Sequence, residues 1–353
     1  MEFDSSIFVA GHRGLVGSAL VRRLKAQGYK NILTASRQEV DLTDETETSA
    51  FFSKVHPDYV FLAAAKVGGI IANRNYPVEF IWDNLKIATN VTHAAYLNGV
   101  KKLIYFGSSC VYPKFAPQPI TEDALLSGPL EPTNEAYAIA KIAGIMLCRA
   151  YNKEYHTNYV AVMPTNLYGP NDNYDLETSH VLPAMIRKFH EAKIGKRPSV
   201  TLWGTGTPKR EFLYSDDLAD ACITIMNYYD ILFHNLYSIG DGIVNIGSGD
   251  EYTISDLAEI IKNAIGFEGE ILYDQTKPDG PPRKLIDSST MNSLGWRPRT
   301  SLEKGIKLAY NDFIKNQYSK TAFVEVFRNS QNPEGVTGST ETGERIAQNV
   351  DSE

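Results

Sequence analysis

Tyr137 and Lys141 stand four residues apart in a stretch of helical periodicity at 134–155, so one helix face carries both, about a turn from each other. A phenol beside a cation exchanges protons once its pKa falls. Bringing a tyrosine from about 10 toward 7 needs roughly 4 kcal/mol of preferential stabilisation of the phenolate, toward which a close lysine in a dry site would contribute. The spacing alone is common on helix surfaces; its company gives it weight. Phe106-Gly107-Ser108-Ser109 closes an apolar run at 102–106 that reads as a sheet strand, so Ser108 offers a hydroxyl at a strand's carboxyl end, where it could hydrogen-bond a carbonyl oxygen beside Tyr137.

A second pattern lies near the amino end. Gly11-His12-Arg13-Gly14-Leu15-Val16-Gly17 follows the apolar run Ile7-Phe8-Val9-Ala10 and opens apolar residues at helical spacing (Leu15, Val16, Ala19, Leu20, Leu24). Glycines that let backbone N–H groups approach closely, at a helix N-terminus that favours negative charge, suit a dinucleotide pyrophosphate. The spacing is GxxGxxG; a tight turn alone is the other reading, and the strand before and helix after favour the phosphate site. After the second apolar run, Ser36-Arg37 presents a hydroxyl and a cation, with Arg13 as a second cation. They fit the 2′-phosphate of NADP(H), where an acidic residue would suit NAD; a solvated surface arginine is the alternative.

Strands and helices must alternate to bring these groups together. Apolar β-type runs at 31–34, 59–63, 102–106 and 159–163 are separated by helical stretches at 45–55, 78–98 and 134–155. Helices of that length between strands impose right-handed crossovers, and the expected fold is α/β: a doubly wound parallel sheet covered on both faces. Beyond Pro164 the rhythm loosens. Segments at 181–192, 199–203, 244–246 and 255–265 mix strand and helix patterns, as in a smaller α+β substrate domain over the sheet's carboxyl edge. The expected division is a dinucleotide-binding domain at 1–170, rejoined by about 205–250, and a mainly substrate-binding domain at 171–320. Residues 328–353 hold no aromatic side chain and no periodicity, and are expected to be disordered.

Composition removes other classes. The chain has 353 residues with 43% hydrophobic and 22% charged, enough for a sizeable core. Acidic residues outnumber basic ones 42 to 35, a formal charge of −7, which argues against nucleic acid or a polybasic membrane surface as partner. Three scattered cysteines, Cys110, Cys148 and Cys222, suggest neither a disulfide framework nor a bound metal, and favour a reducing compartment. No basic leader followed by a long apolar run precedes Gly11, so a cytoplasmic protein is expected.

Longer strings carry a resemblance. Ala64-Ala65-Lys66-Val67-Gly68-Gly69-Ile70, Gly107-Ser108-Ser109-Cys110-Val111-Tyr112-Pro113, Glu131-Pro132-Thr133-Asn134-Glu135-Ala136-Tyr137-Ala138-Ile139-Ala140-Lys141 and Met163-Pro164-Thr165-Asn166-Leu167-Tyr168-Gly169-Pro170 resemble the extended short-chain dehydrogenase/reductases, Rossmann-fold enzymes that act largely on nucleotide sugars. The likeness runs over about 7–316, and within the family it is to enzymes that take GDP-4-keto-6-deoxy-D-mannose, epimerise C3 and C5, and reduce the C4 ketone with NADPH. It implies Cys110 as base, His180 as the acid on the opposite face, and Ser108 and Tyr137 as the groups that polarise the ketone, with Lys141 beside them. It also implies cofactor contacts at Pro164, Thr165, Asn166, Leu167 and His180, sugar-nucleotide contacts at Lys188, Trp203, Arg210 and Asp279, and Lys284 as a phosphate candidate. A homodimer through the 78–98 and 134–155 helices is implied too. Two rivals stay open: a UDP-sugar 4-epimerase that holds NAD, which Arg37 and Cys110 disfavour, and a non-catalytic redox sensor, which has no need of a Ser108, Tyr137 and Lys141 set.

Overall fold

A computed structural model describes residues 1–228, 242–277 and 279–318. The tail at 328–353 and part of the 205–250 stretch therefore lie outside the described residues. Residues 1–312 form one compact unit.

Its centre is a six-stranded sheet in the order β2-β1-β3-β4-β5-β9, parallel throughout. The first five strands are β1 (Ile7–Ala10), β2 (Ile32–Leu33), β3 (Tyr59–Leu62), β4 (Lys102–Phe106) and β5 (Tyr159–Pro164). Every residue of β1, β4 and β5 is buried, as a strand covered on both faces requires. On one face α1 (Leu15–Ala26) packs beside α7 (Ser215–Asn227), burying Leu20, Leu24, Leu218 and Ile225 against Val9, Phe61 and Val160. On the other, α2 (Glu45–Val55), α4 (Pro77–Leu97) and α5 (Glu135–Tyr155) bury Phe52, Val91 and Ile145 against Phe8, Leu62 and Tyr105. Each such fully buried side chain contributes roughly 1.5–3 kcal/mol of transfer free energy.

The chain returns to this sheet late, when β9 (Ile243–Ile246) pairs with β5. Two smaller sheets carry the rest. Strand β8 (Lys209–Tyr214) is flanked by β10 (Glu251–Thr253) and β12 (Arg283–Lys284) and also pairs with β6 (Asn166–Tyr168). Strand β7 (Ser199–Trp203) pairs with β11 (Glu270–Asp274). Helices α6 (Val181–Ile194), α8 (Ile254–Ile265), α9 (Ser289–Ser293) and α10 (Leu302–Asp312) complete the unit.

Two features depart from the sequence expectation, and one agrees with it. Strand β2 keeps two residues, because the chain turns at Ser36, whose N–H donates to Glu39 Oε2 (2.7 Å). Strand β5 ends at Pro164, as the sequence pattern implies. A helix α3 (Ile70–Asn75) stands between β3 and α4; six residues are too few to show a helical repeat. Among the described residues no helix is long and apolar enough to cross a membrane, and no group of three or more His, Cys, Asp or Glu is placed to hold a metal ion.

Candidate active site

The glycine turn is shaped by contact. Gly11 takes φ 81°, and a Cβ there would lie 2.7 Å from Ala64 N at the end of β3. A Cβ on Gly17 would collide with the Gly11 carbonyl, so α1 can approach the strand this closely only with glycine at both places. Gly14, the N-cap, differs: its nearest neighbour to a Cβ is Gly11 O at 3.6 Å, which leaves the outer side of the turn clear. The first helical bond, Ser18 N–H to Gly14 O (2.9 Å), leaves the N–H groups of Leu15, Val16 and Gly17 at the open end of the helix. A pyrophosphate fits this cradle.

His12 and Arg13 face the Ser36 turn, for both help hold the Glu39 carboxyl below its ordinary range, after the hydrogen bonds from Ser36. Arg37 is 67% exposed and pairs with Asp41 at 3.2 Å. An exposed pair of this kind is worth about 0–1 kcal/mol, so the guanidinium is free to exchange it for a phosphate. Glu39, the nearest acidic residue after Arg37 in the chain, is already tied to the Ser36 N–H.

At the carboxyl end of β4 the Ser108, Tyr137 and Lys141 set is assembled. Lys141 is 3% exposed; its Nζ donates to Phe106 O (2.7 Å) and lies 4.9 Å from the Tyr105 ring centroid and 5.8 Å from that of Tyr137. Burial lowers this ammonium to about 7. Burial likewise raises the Tyr137 phenol, the Cys110 sulfur adds to the rise, and a hydrogen bond with Ser108 opposes it. The direction is opposite to the lowering expected from spacing. The reason is that Lys141, itself desolvated, spends its N–H on the strand carbonyl, and in the protein alone the phenol stays protonated.

Cys110 follows on a short 3₁₀ turn (Ser109–Val111) capped by Ser108, whose Oγ accepts from Cys110 N (3.2 Å). Two nitrogen donors meet the sulfur: Asn134 Nδ2 at 3.3 Å and Lys284 Nζ at 3.7 Å. Asn134 escaped the sequence reading; it sits in the string that holds Tyr137, one residue before α5, and nothing local ties it to Cys110. Lys284, a phosphate candidate by likeness, lies against the thiol on β12, opposite Arg210.

His180 is the N-cap of α6. Its ring is reachable by solvent yet surrounded by protein, and that partial burial lowers the imidazole below its ordinary value. Contacts lead from it to Tyr137: Gly69 N–H donates to Thr178 O (2.7 Å), a Cβ on Gly68 would lie 3.2 Å from Phe80 Cζ, and the Phe80 ring meets Tyr137 edge-on at 6.2 Å. Pro164 ends β5, and beyond it Thr165 Oγ1 (3.2 Å) and Asn166 Nδ2 (2.8 Å) both donate to Glu211 O, with Leu167 continuing β6. This joins β5 and β6 to β8.

The remaining candidates gather on the smaller sheets. Arg210 Nη1 donates to Lys209 O and Pro281 O, both at 2.7 Å; burial lowers its pKa, with Asp279 and Cys110 opposing. Asp279 accepts from Thr205 N (3.0 Å) and Thr205 Oγ1 (2.7 Å). Trp203 is 54% exposed, with Lys188 Nζ at 5.8 Å and Lys277 Nζ at 5.7 Å from its ring. Burial lowers Lys188 too. A half-buried lysine beside an open aromatic face, with a half-buried arginine on the neighbouring sheet, suits an anionic, aromatic ligand. Lys277 was not legible, since only the β7 to β11 pairing brings it to Trp203.

Comparison with known proteins points the same way. A profile of the NAD dependent epimerase/dehydratase family matches residues 7–247. GDP-L-fucose synthase 1 of Arabidopsis thaliana is 57% identical over 313 residues, 89% of this chain and 94% of that one. GDP-L-fucose synthase of Escherichia coli (strain K12) is 49% identical over 312 residues, 88% of this chain and 97% of that one. Among solved structures, a GDP-L-fucose synthetase from Naegleria fowleri bound to NADP has a TM-score of 0.80 at 31% identity, covering 90% of this chain and 96% of that chain. UDP-glucose 4-epimerase from Thermotoga maritima shares the fold alone, with a TM-score of 0.75 at 24% identity over 88% of this chain and 99% of that chain.

Proposed function

The chain belongs to the NAD dependent epimerase/dehydratase family, and from that footing we propose that it converts GDP-4-keto-6-deoxy-D-mannose to GDP-L-fucose, epimerising C3 and C5 and then reducing the C4 ketone with NADPH. The observation that carries the reading is one sulfur, Cys110, set between two nitrogen donors and coupled electrostatically to the Tyr137 phenol.

A ketone makes the hydrogens on both flanking carbons acidic, so a base is needed on one face and an acid on the other. The Cys110 thiolate takes the proton; the C–H electron pair becomes the enolate double bond, and negative charge settles on the C4 oxygen. Ser108 and Tyr137 donate hydrogen bonds to that oxygen, and the raised phenol remains protonated while doing so. His180 returns a proton from the opposite face, inverting the carbon and restoring the ketone. Desolvation lowers its imidazole below the ordinary value, and the negative charge of the enolate favours its proton-donating form. Exchange of both groups with solvent resets them for the second carbon. When bound, NADPH supplies hydride to C4. Tyr137 then gives its proton to the C4 oxygen, and Lys141 Nζ stands beside the phenol. Arg210, Lys188 and Trp203 hold the GDP group, with Asp279 orienting the Thr205 loop. A UDP-sugar 4-epimerase would have no use for a thiol held this way.

The test is substrate incubated in deuterium oxide without reductant. We expect deuterium at C3 and C5 with the wild-type protein, and a loss of about 10²-fold or more in Cys110→Ser and in His180→Gln, both still binding NADPH. Normal incorporation in both variants would remove those roles. We also propose a cytoplasmic homodimer. The free thiols Cys148 and Cys222 are consistent with a reducing compartment, and α4 and α5 pack together while exposing Val78, Trp82, Ile139 and Met146. Light scattering should give twice the chain mass, and Trp82→Asp should give the monomer; a monomeric wild type would overturn this.

A further inference from the structure

His180 depends on a loop. Between Asn171 and Ser179 the chain is braced on itself: Asp175 Oδ1 accepts from Glu177 N (3.1 Å), Thr178 N (2.9 Å) and Thr178 Oγ1 (2.9 Å), and Ser179 N donates to Asp175 O (3.0 Å). Such bracing gives the loop a shape; its height over the site has to be set by something it touches.

Gly68 and Gly69 are what it touches. Gly69 N donates to Thr178 O (2.7 Å), and a Cβ on Gly69 would lie 2.5 Å from Ser179 O and 3.3 Å from Ser179 C, both backbone atoms next to His180. A Cβ on Gly68 would lie 3.4 Å from Thr178 O. Gly69 has φ −68° and ψ −178°, which any residue adopts, so glycine is needed there for proximity and not for backbone freedom. Beneath the pair, Asn73 on α3 is 7% exposed, and its Nδ2 donates to Gly68 O (2.8 Å) and Gly69 O (3.0 Å), fixing the peptide units that receive the loop. Helix α3 also packs against the 3₁₀ turn Pro132–Asn134, whose last residue donates to Cys110 Sγ. One short helix therefore touches the supports of both proposed proton-transfer groups.

We propose that Gly69 and Asn73 are positioning residues for the His180 imidazole: the bare Gly69 backbone lets the Ser179 carbonyl seat directly on it, Asn73 locks that seat, and together they set where His180 stands over the sugar. The inference rests on His180 being the proton donor. In Gly69→Ala the Ser179 carbonyl must retreat by about 1 Å to reach ordinary contact, and a shift of that size at a reacting group costs on the order of 10²-fold in rate.

The experiment compares wild type, Gly69→Ala, Asn73→Ala and His180→Gln with GDP-4-keto-6-deoxy-D-mannose. Deuterium incorporation at C3 and C5 without reductant should fall about 10²-fold in Gly69→Ala and about 10-fold in Asn73→Ala. With NADPH present, the product should shift from GDP-L-fucose toward unepimerised GDP-D-rhamnose, while NADPH affinity by fluorescence stays within about threefold, since the glycine turn at Gly11–Gly17 is untouched. Partial unfolding cannot produce that shift, because it lowers epimerisation and reduction by the same factor. Incorporation lost in His180→Gln but intact in both support variants overturns the positioning role, as does a uniform loss with an unchanged product ratio. Intact incorporation in His180→Gln instead overturns the reading of His180 itself. If Gly69→Ala does not fold, Asn73→Ala decides alone.

Discussion

Ser108 and the pair Tyr137 and Lys141 stand on the end of β4 and on one face of α5, two elements packed directly on each other, and the contact that seats Lys141 is made to the strand it rests on. Cys110 and His180 stand on a 3₁₀ turn and at a helix cap, and what meets the sulfur comes from residues 24 and 174 positions away in the chain. The groups assigned to reduction thus inherit their geometry from regular structure. Those assigned to epimerisation inherit it from junctions between segments. A half built on elements should fail through chemistry when mutated, and a half built on junctions through placement as well.

The largest effect should come from the first half. Tyr137→Phe removes the phenol to which proton donation and the hold on the C4 oxygen are assigned, and NADPH oxidation should drop about 10³-fold with the unfolding temperature nearly unchanged. Undiminished turnover, followed by nicotinamide absorbance, would count against this tyrosine.

Next is the stability that the same half gives up for its chemistry. Lys141 has an ordinary ammonium pKa of 10.5 when unfolded and about 7 when buried, so between these values the unfolded chain binds the extra proton. Stability therefore rises with pH across that window, and the lysine is a burden near neutrality that fades toward pH 10.5. Lys141→Met, inactive, should gain on the wild type by about 3 kcal/mol on going from pH 9.5 to pH 7, on top of a constant loss from leaving Phe106 O without its donor. Denaturant unfolding at the two pH values measures this; a difference that does not change with pH would mean that Lys141 is charged in the folded protein.

The smallest effect concerns the rim of the cofactor cradle. Arg37→Ala should raise the KM for NADPH about 10-fold and that for NADH less than twofold, if the exposed guanidinium trades Asp41 for the 2′-phosphate as proposed. Equal weakening of both would remove Arg37 from cofactor choice.

The same contrast decides what could be read from the chain. The glycine turn, the strand-end Ser108 and the Tyr137 to Lys141 spacing are local patterns whose meaning follows from the period of the element that holds them, and the six-stranded parallel sheet follows from their alternation. Helix α3 was too short to announce itself. Asn134 at Cys110 and Lys277 at Trp203 are products of tertiary packing, as is the placement of Lys284 beside both the thiol and Arg210. The direction of the Tyr137 shift was missed because spacing along a helix carries no measure of burial, and burial dominates.

The most direct measurement of the central claim, that one site epimerises and then reduces, is to mix the pure protein with NADPH and GDP-4-keto-6-deoxy-D-mannose and identify the sugar. We expect NADPH oxidation with GDP-L-fucose as the product. GDP-D-rhamnose formed at the same rate would mean reduction without epimerisation, and would contradict the roles given to Cys110 and His180.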